Sequence, residues 1–466
     1  MPGLWARGVR GLIGTVVWVL AIGLVVRTWC VQGLVVPFQV TSGSMAETLL
    51  GPHRRIVCPD CGFAFACGSD QRLPGARAAC SNCGHGDITL DQWPELAGDR
   101  LMVDKASFRL RGPRRFEVVA FRDPQRESHI AVKRVVGLPG ESIQIRDGDI
   151  YVGGEIVRKT LAQQRAMAVL VHDTGFPPRL DPGTPARWQA ERSDSHWLVQ
   201  DGCFSHPEVP GEAGMDWLGY VHRRRIPGAG KRTEEGPITN QCSCNQGSPG
   251  RGENFEPATD LMLAFRVVRT GRRGELAVRI GDGREEFEVW IDSEDGRCRV
   301  FRNGAPTRFE QRDSAAIGLD AARVEVSTFD RQLLVALGGR PAVVMLYQRS
   351  DQPRRRESRP VAIGCQGLGI EVHDVQVYRD VYYTDPGGGH GRWGLDSPVQ
   401  LAGDGYFVLG DNSPISEDSR TWPQGPALSG GLLVGRPLLV HFPAGEARFW
   451  GRRFQVPDLA KIRYIR

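Results

Sequence analysis

A serine and a lysine that meet in an apolar pocket can cleave an amide without any histidine, because burial keeps the amine neutral and able to take a proton. Two short segments of this chain carry the residue types for that chemistry. The first is Thr41-Ser42-Gly43-Ser44-Met45, and the second is AVKRVVGL around Lys133. Only five of the 59 basic residues are lysines: Lys105, Lys133, Lys159, Lys231 and Lys461. Arginine cannot give up its proton, so a lysine kept inside an apolar run marks a place where an amine that can lose one is useful. Each segment also has an ordinary reading. Ser and Gly usually mark a loop, and GxSxG, the nucleophile elbow, does not occur here. A strand lysine usually faces solvent, and acting as a base requires it to be buried with its pKa lowered toward the working pH. A third polar segment, GDNSPISEDSR (410–420), has the composition of a surface Asx or Ser turn.

Cysteines supply a second kind of chemistry. CPDCG (58–62) and CSNCG (80–84) give C-x2-C, eighteen residues, C-x2-C. That spacing is in the zinc-ribbon range, and four thiolates from Cys58, Cys61, Cys80 and Cys83 would close a tetrahedral, structural Zn site. Two disulfides, favoured by an oxidising compartment, and a redox CxxC pair are the alternatives. Cys67 and His85 are near without being required as ligands, and Cys242 and Cys244 are unassigned.

The elements that must position these groups begin with residues 11–26, GLIGTVVWVLAIGLVV, sixteen residues without a charge. A helix running past Arg27, with that arginine snorkelling, would reach about 20 residues, enough for a span. Arg7 and Arg10 precede it, favouring a cytoplasmic N-terminus (1–10), a transmembrane anchor over 11–36 and an exported remainder. A cleaved signal peptide is the rival, but no A-x-A-like site follows. GDRLMVDKASFRL, FEVVAFRDP and HIAVKRVVGLPGESIQI read as strands, and DGDIYVGGEIV as a hairpin. Residues 161–255 are rich in Pro, Gly, Arg and Trp and are expected to be irregular. Residues 256–384 return to short, evenly punctuated strands, which predict a β-sandwich or jelly roll; in strand spacing and the closing VHDVQVYRDVYYT this part resembles concanavalin-like or laminin-G-like sandwiches, and 385–399 reads as a linker. Trp188, Trp197 and Trp217 could stack on sugars, though such residues are more often core. The expected class is therefore mainly β. A net charge of +5 without a basic block argues against nucleic acid.

Taken in order behind the apolar segment, VVRTWCVQGLVVPFQVTSGSM, GDRLMVDKASFRLRGPRRFEVVAFRDP, VKRVVGLPGE and GDNSPISEDSR resemble the anchor, serine box, following segment, lysine box and final box of the type I signal peptidases. The resemblance covers residues 10–50, 97–160 and 400–443. It implies a β catalytic domain over 37–160 plus 400–450, split by a zinc-ribbon insertion (56–86) and a larger insertion (161–399), with a C-terminal tail at 451–466. It implies Ser44 as nucleophile, Lys133 as general base, and Ser42 with the Ser44 N–H as the oxyanion hole. Ser416 would orient the lysine amine, Asp418 and Arg420 would pair to hold the final loop, Asp411 and Asn412 would shape its turn, and Met45 would pack near the membrane-facing surface. No catalytic cofactor is implied. The expected partners are signal-peptide-bearing preproteins and the lipid bilayer of a bacterial inner membrane, with a carbohydrate or protein partner for the sandwich left open. The family often has proline where this chain has Thr41 and Glu47, so the backbone beside Ser44 is expected to be less stiff here. Two rival functions are an inactive homologue serving as a surface binding protein, and a Ser/Lys self-cleaving regulator of the kind fused to DNA-binding domains. The apolar segment and the lack of a helix-turn-helix pattern count against the second.

Overall fold

The computed structural model describes residues 3–27, 34–69, 75–179, 185–211, 214–225, 233–246, 256–271, 273–309, 318–350, 357–383, 397–442, 444–449 and 452–465. Strands dominate throughout. The sheet that carries the first two motifs runs, in spatial order, Val35–Gln39, Arg100–Asp104, Leu433–Phe442, Val118–Asp123, Arg126–Gly137, Gly405–Leu409 and Leu428–Ser429. Its central strand, Arg126–Gly137, is twelve residues long and is paired on both sides. Val119 lies opposite Lys133 on one flank, and Leu409 opposite Arg134 on the other. Chain segments nearly 280 residues apart thus meet at Lys133, which fixes the final box beside the lysine strand. Val40, Met45, Leu49, Leu101, Val103 and Val440 fill one side of this sheet.

The segment expected as the larger insertion forms a two-sheet sandwich. Its strand Glu286–Asp292 shows why: Phe287, Val289 and Ile291 alternate inward with no exposure, while Glu286 and Glu288 face out. The facing sheet holds Leu261–Arg269 between Ile370–Arg379 and Ala322–Ser327. Side chains of both sheets share one core, which includes Phe265, Val335, Ile363 and Val377. Residues 161–255, expected to be irregular, instead contribute Val169–Asp173, Trp188–Ala190, Leu198–Gln200, Cys203–His206 and Asp216–Tyr220 to these sheets. Trp188 and Trp197 are core residues, and Trp217 is buried under the Arg279 guanidinium, 4.0 Å from its ring centre. Most of the 385–399 linker lies outside the described residues.

The ribbon segment forms a three-stranded sheet, Ala64–Gly68, His53–Val57 and Glu95–Leu96, with a two-stranded piece, Arg77–Ala78 and Ile88–Thr89. The tail is not a free end: Arg463–Tyr464 pairs with Leu433–Phe442, and Arg463 donates to the Thr48 carbonyl at 2.8 Å.

At the N-terminus a helix covers Gly3–Val25, and a strand already begins at Val35. The expected anchor over 11–36 therefore does not form as one helix, and residues 28–33 lie outside the described residues. Among the described residues no helix is long and apolar enough to cross a membrane. The helix nevertheless exposes Leu12, Trp18, Leu20 and Leu24, each 66–70 % accessible.

Candidate active site and cysteine cluster

Ser44 sits in a single 3-10 turn, Gly43–Met45, directly after the first strand of the sheet. Its Oγ lies 3.2 Å from Ser42 Oγ. Met45, expected near a membrane-facing surface, is instead 1 % exposed and packs in the core with Val40 and Leu101, so it pins the turn from below. Lys133 rises from the central strand into the same place. Ser44 and Lys133 both line a cavity of about 340 Å³ whose walls include Phe38, Ile130, Ile415 and Trp422. No hydrogen bond joins Ser44 to Lys133 among the described residues; the Lys133 Nζ donates to Ser416 Oγ at 2.9 Å.

Lys133 is 4 % exposed and has no carboxylate within ion-pair distance among the described residues. Burial pushes its amine down to about 8, against the Asp418 carboxylate, which favours the charged form, and with Arg420, which disfavours it. A second buried lysine provides the contrast. Lys159 donates to Asp330 at 2.5 Å and Asp380 at 2.6 Å, and although its burial favours the neutral form, those two carboxylates drive its pKa up. Equal burial with opposite partners leaves Lys133, not Lys159, able to be a neutral amine near neutral pH.

The final loop is held by buried ion pairs. Arg420 meets Asp418 through Nε at 2.9 Å and a terminal nitrogen at 2.8 Å, and also donates to Ser413 Oγ at 2.7 Å. Asp418 accepts from the Gly410 N–H at 3.0 Å. Burial works against its carboxylate, yet Arg420 and Lys133 hold it below its ordinary pKa. Asn412 ties this loop to the serine turn, its N–H donating to the Ser44 carbonyl and its side-chain amide to the Gly43 carbonyl, both at 3.0 Å. Gly410 allows the approach: a Cβ there would lie 2.2 Å from Ser416 Oγ and 2.5 Å from the Ser44 carbonyl. Asp411 does more than shape a turn. It receives a two-pronged contact from Arg134, at 2.8 and 2.6 Å, and a 2.6 Å bond from Thr48 Oγ1. Arg134, Thr48 and Gly410 are the residues that motif reading missed. Arg134 follows Lys133, and successive strand residues face opposite ways, so the two neighbours reach different partners.

The cysteine cluster is compact. One sulfur from each of Cys58, Cys61, Cys80 and Cys83 lies within 4.8 Å of the others, and all four thiols are buried and free. Cys58 and Cys83 are 3.6 Å apart, and Cys61 and Cys80 are 3.7 Å apart. A disulfide needs about 2.05 Å, whereas a tetrahedron of sulfurs about 2.3 Å from zinc has edges of about 3.8 Å. The cluster thus has the dimensions of a zinc site. The turns agree, with Gly62 and Gly84 at φ +77° and +81° and their N–H groups bonded to the Cys58 and Cys80 carbonyls. The His85 N–H points at Cys83 Sγ from 3.4 Å, the backbone contact that supports a bound thiolate.

Residues 92–202 match the family described as signal peptidase, peptidase S26. The matched range contains Lys133 and lies between Ser44 and Ser416. The chain is 35 % identical over 79 residues to signal peptidase I V of Bacillus subtilis, covering 17 % of this chain and 46 % of that protein. It is 31 % identical over 232 residues to a signal peptidase I of Pseudomonas aeruginosa, covering 45 % of this chain and 66 % of the relative. The chain thus spans less than half the length of the Bacillus relative. Among solved structures, a carbohydrate-binding module, CBM66, of Bacillus subtilis overlaps 41 % of this chain and 95 % of its own, at 8 % identity and a TM-score of 0.26.

Proposed function

We propose that this chain is a signal peptidase of the type I kind: a serine endopeptidase that removes signal peptides from exported preproteins with a Ser44/Lys133 dyad. The single observation that carries the reading is the cavity shared by Ser44 and a buried Lys133 that has no carboxylate within ion-pair distance among the described residues and whose amine is lowered to about 8. The signal peptidase match over residues 92–202 supports the same reading. Neutral Lys133 takes the Ser44 proton as Ser44 Oγ bonds to the substrate carbonyl carbon. The amine then returns that proton to the leaving nitrogen as the C–N bond breaks, giving an acyl-enzyme. A water deprotonated by Lys133 attacks the ester and releases Ser44. Ser416, bonded to the amine, fixes the direction of its lone pair. The Ser42 hydroxyl loses its Ser44 partner once Ser44 Oγ is committed to the carbonyl carbon, and is then free to turn toward the oxyanion beside the Ser44 N–H.

Membrane attachment at the outer face of a bacterial inner membrane is part of this proposal. The exposed apolar side chains of the Gly3–Val25 helix support it, since water leaves such a surface unsatisfied. The four-cysteine cluster is proposed to hold a structural zinc, which would lock the ribbon and take no part in proton transfer. Metal analysis of the intact, unreduced chain is expected to return about one zinc, with four thiols becoming reactive only after a chelator is added. No metal and two disulfides would overturn that assignment.

The test of the main reading is cleavage of a preprotein by the full chain in detergent, with the product N-terminus sequenced. Only the neutral amine accepts a proton, so kcat/KM is expected to rise about tenfold per pH unit below 8 and to level above it. No cleavage at pH 9, or a rate that falls between pH 6 and 8, would count against the dyad.

A further inference from the structure

The backbone beside the nucleophile lacks the stiffening that proline would give at positions 41 and 47, yet it is held. What holds it comes from the larger insertion, about 200 residues further along the chain. A 3-10 turn, Ser243–Asn245, lies against the serine turn and the final loop together. Ser243 Oγ donates to the Glu47 carboxylate at 2.9 Å. The side-chain amides of Asn245 and Asn412 exchange hydrogen bonds, at 2.9 Å from Asn245 and 2.8 Å from Asn412. The same Asn412 amide also donates to the Gly43 carbonyl, and its backbone N–H to the Ser44 carbonyl. Both asparagines are buried, at 4 % and 2 % exposure. Cys242 and Cys244, unassigned by sequence, pack on Ala46. On its far side the turn is anchored to the ribbon. The Gln246 amide bonds both the N–H and the carbonyl of Ala79, at 2.8 and 3.0 Å, one residue from Cys80.

We propose that Asn245 and Ser243 are positioning residues for Ser44, so that the larger insertion supplies part of the active-site frame instead of serving as a spacer. The inference rests on the peptidase reading for its kinetic consequence. Its structural half stands apart: Asn412 has one carbonyl and one amide to place, and Asn245 satisfies both while leaving the amide able to reach Gly43. Remove Asn245 and the buried Asn412 side chain loses its reason to stay in that rotamer. The Gly43 carbonyl is then released, and Ser44 shifts relative to Lys133. Displacement of about 1 Å at a nucleophile is enough to cost about a hundredfold in rate.

The experiment compares Asn245→Ala, Asn245→Asp, Asn412→Ala and the Asn245→Ala/Asn412→Ala double variant with the full chain. Cleavage of a preprotein and hydrogen exchange of the amides 43–49 are read side by side. Asn245→Ala is expected to lower kcat by about 10- to 100-fold with KM changed less than about threefold. Asn245→Asp still accepts from Asn412 but cannot donate back, so it should fall between wild type and alanine. In the Asn412→Ala background the second substitution should add little, because Asn245 acts through Asn412. Exchange over 43–49 should quicken in each single variant. Ser243→Ala, which cuts the separate Glu47 tie, is the second probe should Asn245→Ala fail to fold; it should quicken the same amides. Folded variants with kcat within twofold of wild type, additive effects in the double variant, or unchanged exchange over 43–49 would each overturn the proposal. If wild type cleaves no preprotein, the peptidase reading falls, while hydrogen exchange still decides whether the tie orders the serine turn.

Discussion

Lys133→Met is expected to remove detectable cleavage while making the protein more stable. The methionine fills the same volume with no charge to desolvate, so packing around Ile130 and Trp422 persists. Activity goes because Lys133 is the buried amine of the cavity, whereas the other titratable side chains along its walls, among them Asp123, His129 and Glu417, are partly or fully exposed to water. Loss of a general base costs about 10²–10⁴-fold, and loss of a nucleophile more, so Ser44→Ala should be at least as inactive. Stability moves the other way for a stated reason. The Lys133 amine falls from 10.5 to about 8 on folding, which costs the folded state about 3 kcal/mol wherever the unfolded chain holds the proton and the folded chain resists it. The sign follows from linkage. The unfolded state binds more protons between pH 8 and 10.5, so wild-type stability rises with pH across that window and is lowest below 8. Lys133→Met should lose this slope and be more stable than wild type at pH 7, read from urea midpoints at pH 7 and about pH 10. An inactive variant with an unchanged pH slope would mean that Lys133 is not the buried amine described here. A variant retaining full activity would remove the dyad.

What the sequence could say about this site depends on how local each constraint is. The four cysteines were legible because a ribbon knuckle is written in five consecutive residues. Ser44, Lys133 and the 410–420 loop were legible through short motifs, and the fold brings them to one cavity. The alternating strand Glu286–Asp292 announces itself in the same way. Arg134 was not legible: a charged residue after a lysine reads as a solvent-facing strand position, and only the tertiary fold supplies Asp411 on the buried side. Asn245 carries no local signal at all, since its partner lies 167 positions away. The strands of 161–255 were hidden for a different reason. They are three to five residues long, and their burial comes from neighbouring strands, as in Asp216–Tyr220, where every position is buried and no alternation survives. The anchor over 11–36 was read from an apolar run and its flanking arginines, and neither says where a helix stops; the chain is extended again by Val35.

Asp411→Ala is expected to be the most destabilising single change around the sheet that carries Lys133, at about 3–5 kcal/mol, although Asp411 does not line the cavity shared by Ser44 and Lys133. The carboxylate and the Arg134 guanidinium are each 1 % exposed, and the guanidinium has one further bond, to the Phe116 carbonyl at 2.8 Å. A buried ion pair gains little over an apolar pair of the same shape, because taking both charges out of water offsets most of their attraction. Breaking it is another matter. With Asp411 gone, Arg134 keeps its charge at any accessible pH and loses its ion-pair partner, while Thr48 loses its acceptor and with it this tie to the final loop. Arg134→Met alone should cost less than Asp411→Ala. The abandoned carboxylate can take up a proton and still accept from Thr48, whereas an abandoned guanidinium cannot lose one. The double variant Arg134→Met/Asp411→Leu should recover most of the loss, which separates charge burial from shape. Denaturant midpoints of the four proteins make the cycle. An Asp411→Ala cost below about 1 kcal/mol, or equal costs for the two single variants, would show that the pair is reached by water and does not set the frame on which Ser44 and Ser416 meet Lys133.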